Sequence, residues 1–285
     1  MFEVIFEADN GKKFVFGRSG GNYYSMNIGD GMEVALGTSQ GFSQIGETVQ
    51  TRSVGGRNID VTGEVYGDIQ ARKNALRNAC APMSAGRLVF QGKCYIRVYV
   101  KAAPTFSAKA GDGRFKMRFF APFPFYTDME ERCYSIGDVT KEFRFPVNYS
   151  RPHRFGTRSA AKAVAVINDG DAAVAFRTDI LASSNCKDVT ITNLGNRDFL
   201  KINGELEPGD RVAVYRGQDD ELRAELTRAG VTTDILSRID EESTLFSLPA
   251  GQTTVAATED NGGIGLMVRI TFQCARAAIY EDQFV

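Results

Sequence analysis

Arg114-Phe115-Lys116-Met117-Arg118-Phe119 alternates cation and hydrophobe without a break. Successive side chains of a strand point to opposite faces. This stretch therefore puts Phe115, Met117 and Phe119 on a buried face and Arg114, Lys116 and Arg118 on the other. The same period recurs upstream, where Cys94, Ile96, Val98 and Val100 alternate with Tyr95, Arg97, Tyr99 and Lys101. The chain reads as mainly β.

Outward from these two strands the signals agree. Residues 13–16, 59–66 and 87–90 are short, rich in β-branched or aromatic residues, and bounded by turn residues. Gln91-Gly92-Lys93 joins 88–90 to 94–100 as a hairpin in which Gly supplies the turn. One helix interrupts the pattern. Asp68 caps it, Ile69, Ala75, Leu76, Ala79, Cys80 and Met83 share an apolar face, Arg72, Lys73 and Arg77 lie opposite, and Pro82 ends it. Such a helix buries its stripe against a β-sandwich or barrel.

Pro122, Pro124 and Asp128 close this first module, and residues 127–160 read as a polar, irregular linker or arm. Strands resume at 163–167, 189–193, 199–202, 211–215, 252–257 and 264–273. Turn clusters such as Asn168-Asp169-Gly170-Asp171 fall about every 8–12 residues, as in a jelly-roll sandwich. Residues 221–229 admit a helical turn that Gly230 breaks. The expected organisation is 1–126, a linker at 127–160, and a second domain at 161–285.

The 285 residues are 43% hydrophobic and 24% charged, in the range of folded domains. No window approaches about 18 uncharged apolar residues, so no transmembrane helix is expected. The alternating start, Phe2-Glu3-Val4-Ile5-Phe6-Glu7, lacks the basic start and unbroken apolar core of a secretory signal, and synthesis in a cytoplasm is expected. Net charge is −1, which disfavours electrostatic nucleic-acid binding by the whole chain. Residues 1–150 carry 19 Lys+Arg against 15 Asp+Glu, and the remainder 15 against 20, an asymmetry that also suits attraction between neighbours in an assembly. The five cysteines stand far apart with no Cys-x-x-Cys pair, so buried reduced thiols are expected and no metal or cofactor.

One motif looks catalytic. Gly37-Thr38-Ser39-Gln40-Gly41 matches the nucleophile elbow of α/β-hydrolases, but its flanks are loop-like and strands follow strands. The single histidine, His153, falls in the linker. The acid pairs Glu130-Glu131, Asp219-Asp220 and Glu241-Glu242 point to opposite faces wherever they lie in strands, so none converges on one bond. No enzyme is expected and no catalytic residue is assigned. The Tyr95/Arg97/Tyr99 face has the composition of a protein interface or of a solvated sheet surface, and the Arg114/Lys116/Arg118 row admits the same two readings.

Two ordered sets of segments resemble the distal tail proteins of long-tailed, siphovirus-like bacteriophages, also described as tail components or baseplate hubs. The first runs from Ile59-Asp60-Val61-Thr62-Gly63-Glu64-Val65-Tyr66 through the helix and residues 97–100 and 115–120 to Pro122-Phe123-Pro124-Phe125-Tyr126. The second comprises Ile167-Asn168-Asp169-Gly170-Asp171, Ile191-Thr192-Asn193, residues 200–210 and Phe246-Ser247-Leu248-Pro249-Ala250-Gly251. The resemblance implies an N-terminal ring-forming β-sandwich or barrel with one helix, and a C-terminal galectin-like sandwich. It also implies a homo-oligomeric, most often hexameric, ring at the tail tip of the virion, assembled in the host bacterial cytoplasm. The implied partners are the tail tube protein, a tail-associated hub or tip protein, and receptor-binding proteins or host surface glycans, with DNA passing through the channel without specific binding. Tyr95, Arg97, Tyr99, Arg114, Lys116 and Arg118 are the expected oligomer contacts. The competing reading is a carbohydrate-binding host-recognition protein that uses the C-terminal sandwich. Absence of Trp, with only Tyr215 and Tyr280 as tyrosines beyond residue 151, counts against it.

Overall fold

A computed structural model describes residues 3–17, 24–29, 31–107, 111–137, 139–141, 156–158, 162–217, 221–260 and 265–279. The chain forms two compact units, Met1–Glu130 with Arg276–Val285, and Glu131–Ala275. Among the described residues no helix is long and apolar enough to cross a membrane.

The first unit contains β1 (Val4–Ala8), β2 (Lys13–Phe16), β3 (Tyr24–Gly29), β4 (Val34–Ser39), β5 (Thr48–Val54), β6 (Arg57–Val65), α1 (Ile69–Ala79), β7 (Ala85–Phe90), β8 (Cys94–Phe106), β9 (Arg114–Ala121) and the start of β10 (Tyr126–Ile136). Its sheet follows the path β2-β1-β7-β8 and continues from β8 through β9 and β6 to β3, each neighbour antiparallel to the next. β8 is the pivot. Residues 94–99 pair with β7, residues 99–106 pair with β9, and the register shifts twice after Val100. Bulges bend a strand and sharpen its twist, so one long strand serves both halves of a sheet curled on itself.

The curl encloses the core. Phe6 of β1 meets Phe119 of β9 with ring centroids 5.2 Å apart, and Phe16 of β2 lies 6.4 Å from Phe115. Phe6, Phe16, Phe90, Phe119 and Tyr126 are all fully buried, and each contributes about 1.5–3 kcal/mol by leaving water. The alternation read from sequence holds: Cys94, Ile96, Val98, Val100, Phe115, Met117 and Phe119 all point inward.

α1 starts where expected, with the Asp68 side chain accepting a hydrogen bond from the Ala71 amide at 3.1 Å. Leu76, Ala79 and Cys80 are buried, whereas Ala75 faces solvent and Met83 is 91% exposed. Met83 lies beyond the cap with φ +67°, so helical spacing no longer governs where it points.

The second unit takes up the end of β10 and contains β11 (Val139–Lys141), β12 (Gly156–Arg158), β13 (Ala163–Asn168), β14 (Arg177–Ala182), β15 (Cys186–Asn193), β16 (Phe199–Leu206), β17 (Arg211–Arg216), β18 (Leu222–Arg228), β19 (Val231–Asp234), β20 (Gly251–Thr258) and most of β21 (Leu266–Arg276). One sheet runs β19-β18-β17-β14-β21 and the other β13-β20-β15-β16. Their inner faces carry Ile180, Val212, Val214, Leu226 and Val268 on one side and Val189, Ile191, Leu200, Ile202 and Val255 on the other. The result is a β-sandwich. Asn168 closes one of its turns, donating to the carbonyls of Ala172 and Leu248 and accepting from the Gly170 amide.

Three sequence expectations change. Residues 126–136 are a strand, not an irregular linker, while 139–141 and 156–158 form a small ladder of their own. The intervening residues, His153 among them, lie outside the described residues. Residues 222–228 are strand β18, because register with β17 buries Ala224 and Leu226, and the Ala229-Gly230 pair, both at positive φ, turns directly into β19. Cys133 is exposed, although Cys80, Cys94, Cys186 and Cys274 are buried as expected.

Candidate functional site

The outer surface of the first unit carries rows of charge set by strand register. Lys13, Glu7, Arg87 and Arg97 stand opposite one another across β2, β1, β7 and β8. Glu7 accepts from both flanking cations, Lys13 Nζ at 2.7 Å and Arg87 Nε at 2.7 Å. Those two hydrogen bonds, Lys13 first, hold its carboxyl below the usual glutamate range. The guanidinium of Arg87 also lies 5.5 Å from the Tyr95 ring centre. Arg97, left facing a like charge, turns to Asp9 and binds both carboxylate oxygens at 2.9 and 2.8 Å.

The β9 row is handled similarly. Arg118 forks onto Asp60, its cross-strand partner on β6, at 2.6 and 2.8 Å, and lowers the carboxyl's pKa. Arg114 sits 3.8 Å from Asp112 and is 78% exposed, and Lys116 is exposed. Of the six expected contact residues, Arg97 and Arg118 are thus engaged within their own chain and Tyr95 is partly covered. Tyr99, Arg114 and Lys116 project into solvent. The bulges of β8 separate the six into two groups, and Tyr99 alone reaches across, opposite Phe120 of β9.

A more exposed feature lies in residues 34–54, a stretch that reads in the sequence as loop around the elbow-like motif. Among the described residues β4 and β5 pair with each other and with no other strand, and nearly every residue of both is exposed. Val34, Leu36, Val49 and Val54 are each 43–55% exposed, and Phe42 and Ile45 in the connecting turn are completely exposed. That turn is ordered from within. Gln44 Oε1 accepts from the Gly41 amide at 2.9 Å, Gln44 Nε2 donates to Thr48 Oγ1 at 2.8 Å, and Gln40 Nε2 donates to the Gln44 carbonyl. The network fixes the turn and leaves both large hydrophobes outside. The one sequence signal was the β-prone run Thr48-Val49-Gln50-Thr51 after a glycine-bounded turn.

The elbow-like motif falls in this hairpin. Ser39 ends β4 and its Oγ accepts from Gln50 Nε2 at 2.7 Å, with strand β5 following instead of a helix. Among the described residues no group of three metal-ligating side chains converges. Burial pushes the Cys80 thiol up to about 12 and Cys94 to about 11, so both stay protonated and act as small apolar groups.

In the second unit Tyr215 is covered by the Arg177 guanidinium, 4.7 Å from its ring centre, and its hydroxyl donates to Glu225 at 2.9 Å. Tyr280 lies outside the described residues.

Compared by sequence, the chain matches no family model and no curated protein. Compared by structure, it is similar to the SPP1 Dit (gp 19.1) protein, a paradigm of the hub adsorption apparatus in phages infecting Gram-positive bacteria. The TM-score is 0.68 at 15% identity, covering 96% of this chain and 99% of that one. It is also similar to a chain of the phage P2 baseplate in its activated conformation with Ca, with TM-score 0.50 at 11% identity over 95% and 97% of the two chains. The fold is that of the phage distal tail and baseplate hub proteins, as the sequence resemblance implied.

Proposed function

We propose that this chain is a structural virion protein of a phage tail, assembling through its first unit into a closed, hexameric ring that joins the tail tube to the tail tip or baseplate. The second unit holds peripheral host-recognition proteins, and assembly takes place in the host cytoplasm. DNA passes through the ring without specific contacts. The hub fold along 96% of the chain supports the structural role. The observation that carries assembly is the β4–β5 hairpin.

An isolated two-stranded hairpin is marginal in water, and contiguous exposed apolar side chains mark interaction sites. Here the turn is pre-shaped to present Phe42 and Ile45, both fully exposed. A ring repeats one head-to-tail contact until it closes, so a projecting element on one subunit must meet a different surface of the next. The exposed Tyr99, with Met83 just before its register partner Ala85, is the receiving surface.

Negative-stain microscopy and light scattering of the full chain test this. Wild type should form rings with a central hole, alone or with the tail tube protein. A Phe42→Ser/Ile45→Ser variant should keep its melting temperature yet stay monomeric, and Tyr99→Ala should weaken the ring. Rings unaltered in the double variant would overturn the hairpin's role, and a wild type monomeric under both conditions would overturn the ring.

A further inference from the structure

The β13-β20-β15-β16 sheet of the second unit has two edges, and the chain treats them differently. At β16 the residues that follow β19 close the edge. Asp240 and Thr244 donate their amides to the carbonyls of Lys201 and Phe199. The Thr244 and Ser243 hydroxyls accept from the amides of Phe199 and Lys201, and Ile239 bridges Ile202. At the other edge, among the described residues, β13 pairs with β20 alone.

Register tells which main-chain groups of β13 are left over. The Ala257 amide donates to the Lys162 carbonyl at 2.8 Å, and an antiparallel strand turns its main-chain groups toward a given neighbour at every second residue. Val164, Val166 and Asn168 therefore direct theirs to β20, whereas Ala163, Ala165 and Ile167 direct theirs to the open side. There the Ile167 carbonyl accepts from the Tyr134 hydroxyl at 3.3 Å. The amides of all three residues and the carbonyls of Ala163 and Ala165 have no partner among the described residues. The side chains agree. Ala163, Ala165 and Ile167 are exposed and stand opposite Ala256, Thr254 and Gln252, so the outer face beside this edge carries no charge. Natural sheets blunt an open edge with Lys, Pro or a bulge. β13, Ala-Val-Ala-Val-Ile-Asn, has none of the three, and its register against β20 runs without a shift.

We infer that β13 takes up an extended, uncharged segment of a peripheral virion protein as a fifth strand of this sheet. The inference rests on the reading that the second unit holds such proteins, and it names where and by what contact. Donors and acceptors at every second residue fit an extended backbone whatever its sequence. Selection comes from the side chains. Ala163 and Ala165 are small, so an added strand has room for a large β-branched or aromatic residue beside each, next to the half-exposed Ile167. A charged residue in that position would meet an uncharged face with no counter-charge, which selects against it. A second copy of β13 fits less well. Set antiparallel to itself, β13 either places alanine against alanine on that face or engages the Ile167 carbonyl that Tyr134 already holds.

Two short synthetic peptides, one alternating threonine with valine and one threonine with tyrosine between terminal lysines, are titrated into the full chain. Calorimetry and amide hydrogen exchange follow the binding. At least one peptide should bind at millimolar concentration or below and slow exchange at Ala163, Ala165 and Ile167. The same peptides with proline at two central positions should not bind. Ala165→Pro removes an amide that faces away from β20, so the ladder and the melting temperature should be kept while binding weakens at least about tenfold. Ala165→Lys, which keeps the amide and adds a charge to the face, should weaken binding as well. No binding of either peptide, affinity unchanged in both variants, or protection that appears at β19 instead would each overturn the inference. So would association of wild-type rings that Ala165→Pro abolishes, which would give this edge to a second copy. Rings should form in Ala165→Pro as in wild type, so failure here and failure of the ring are separate results.

Discussion

At the scale of single residues, Asp210 shows how one carboxylate fixes a turn. It is 2% exposed, binds Arg228 through three contacts of 2.6–3.2 Å, and accepts from the Glu207 amide at 2.8 Å, which closes the Glu207-Pro208-Gly209-Asp210 turn. The hydrogen bond from Arg228, with the Glu207 amide, holds its carboxyl below the usual aspartate range. A lowered folded pKa stabilises the fold above the unfolded value, near 3.9, and that stabilisation is lost as pH falls through the folded value. Urea unfolding should therefore show a steep loss of stability below about pH 4 in wild type and a shallower one in Asp210→Asn. At pH 7 Asp210→Ala should lose about 1–2 kcal/mol, since Arg228 keeps only its contact to Glu207 and the Glu207 amide loses its acceptor. An Asp210→Asn slope equal to that of wild type would assign the acid sensitivity elsewhere.

At the scale of elements, strands with one buried face were legible and strands without one were not. β9 and the first eight residues of β8 declare themselves because each inward residue is apolar and each outward one polar or aromatic. β4 and β5 carry apolar residues on uncovered faces, so no alternation marks them. β18, Leu-Arg-Ala-Glu-Leu-Thr-Arg, is made largely of helix-forming residues, and pairing with β17 overrides that local preference. Strand approach is equally invisible in sequence. A Cβ on Gly86 would lie 2.3 Å from the Glu7 carbonyl oxygen, because β7 packs closely on β1 there. Gly86→Ala should cost about 3 kcal/mol in chemical denaturation, the upper end for overpacking. Gly29→Ala, whose Cβ meets open space, should change stability by less than about 0.5 kcal/mol.

At the scale of the whole molecule, the first unit is not one stretch of chain. The division between units falls inside β10 and again inside β21, so the chain from Arg276 onward returns to the first unit. Arg276 forks onto Asp128 at 2.9–3.0 Å with both side chains about 15% exposed, the buried Arg57 donates to the Ala277 carbonyl at 2.7 Å, and Ile279 packs on the first core. None of this is visible in sequence, since a lone Arg near residue 276 or 57 carries no mark of burial, and a reading by segments divides a chain at single points. The arrangement makes stability of the first unit depend on its last residues. Arg276→Ala strands the Asp128 carboxylate in a largely buried position, a loss of about 3 kcal/mol. Hydrogen exchange should then show amides of β1, β6 and β8 losing protection while β15 and β20 keep theirs. Equal loss in both sets would mean that the two units unfold as one, and that this ion pair serves the whole chain.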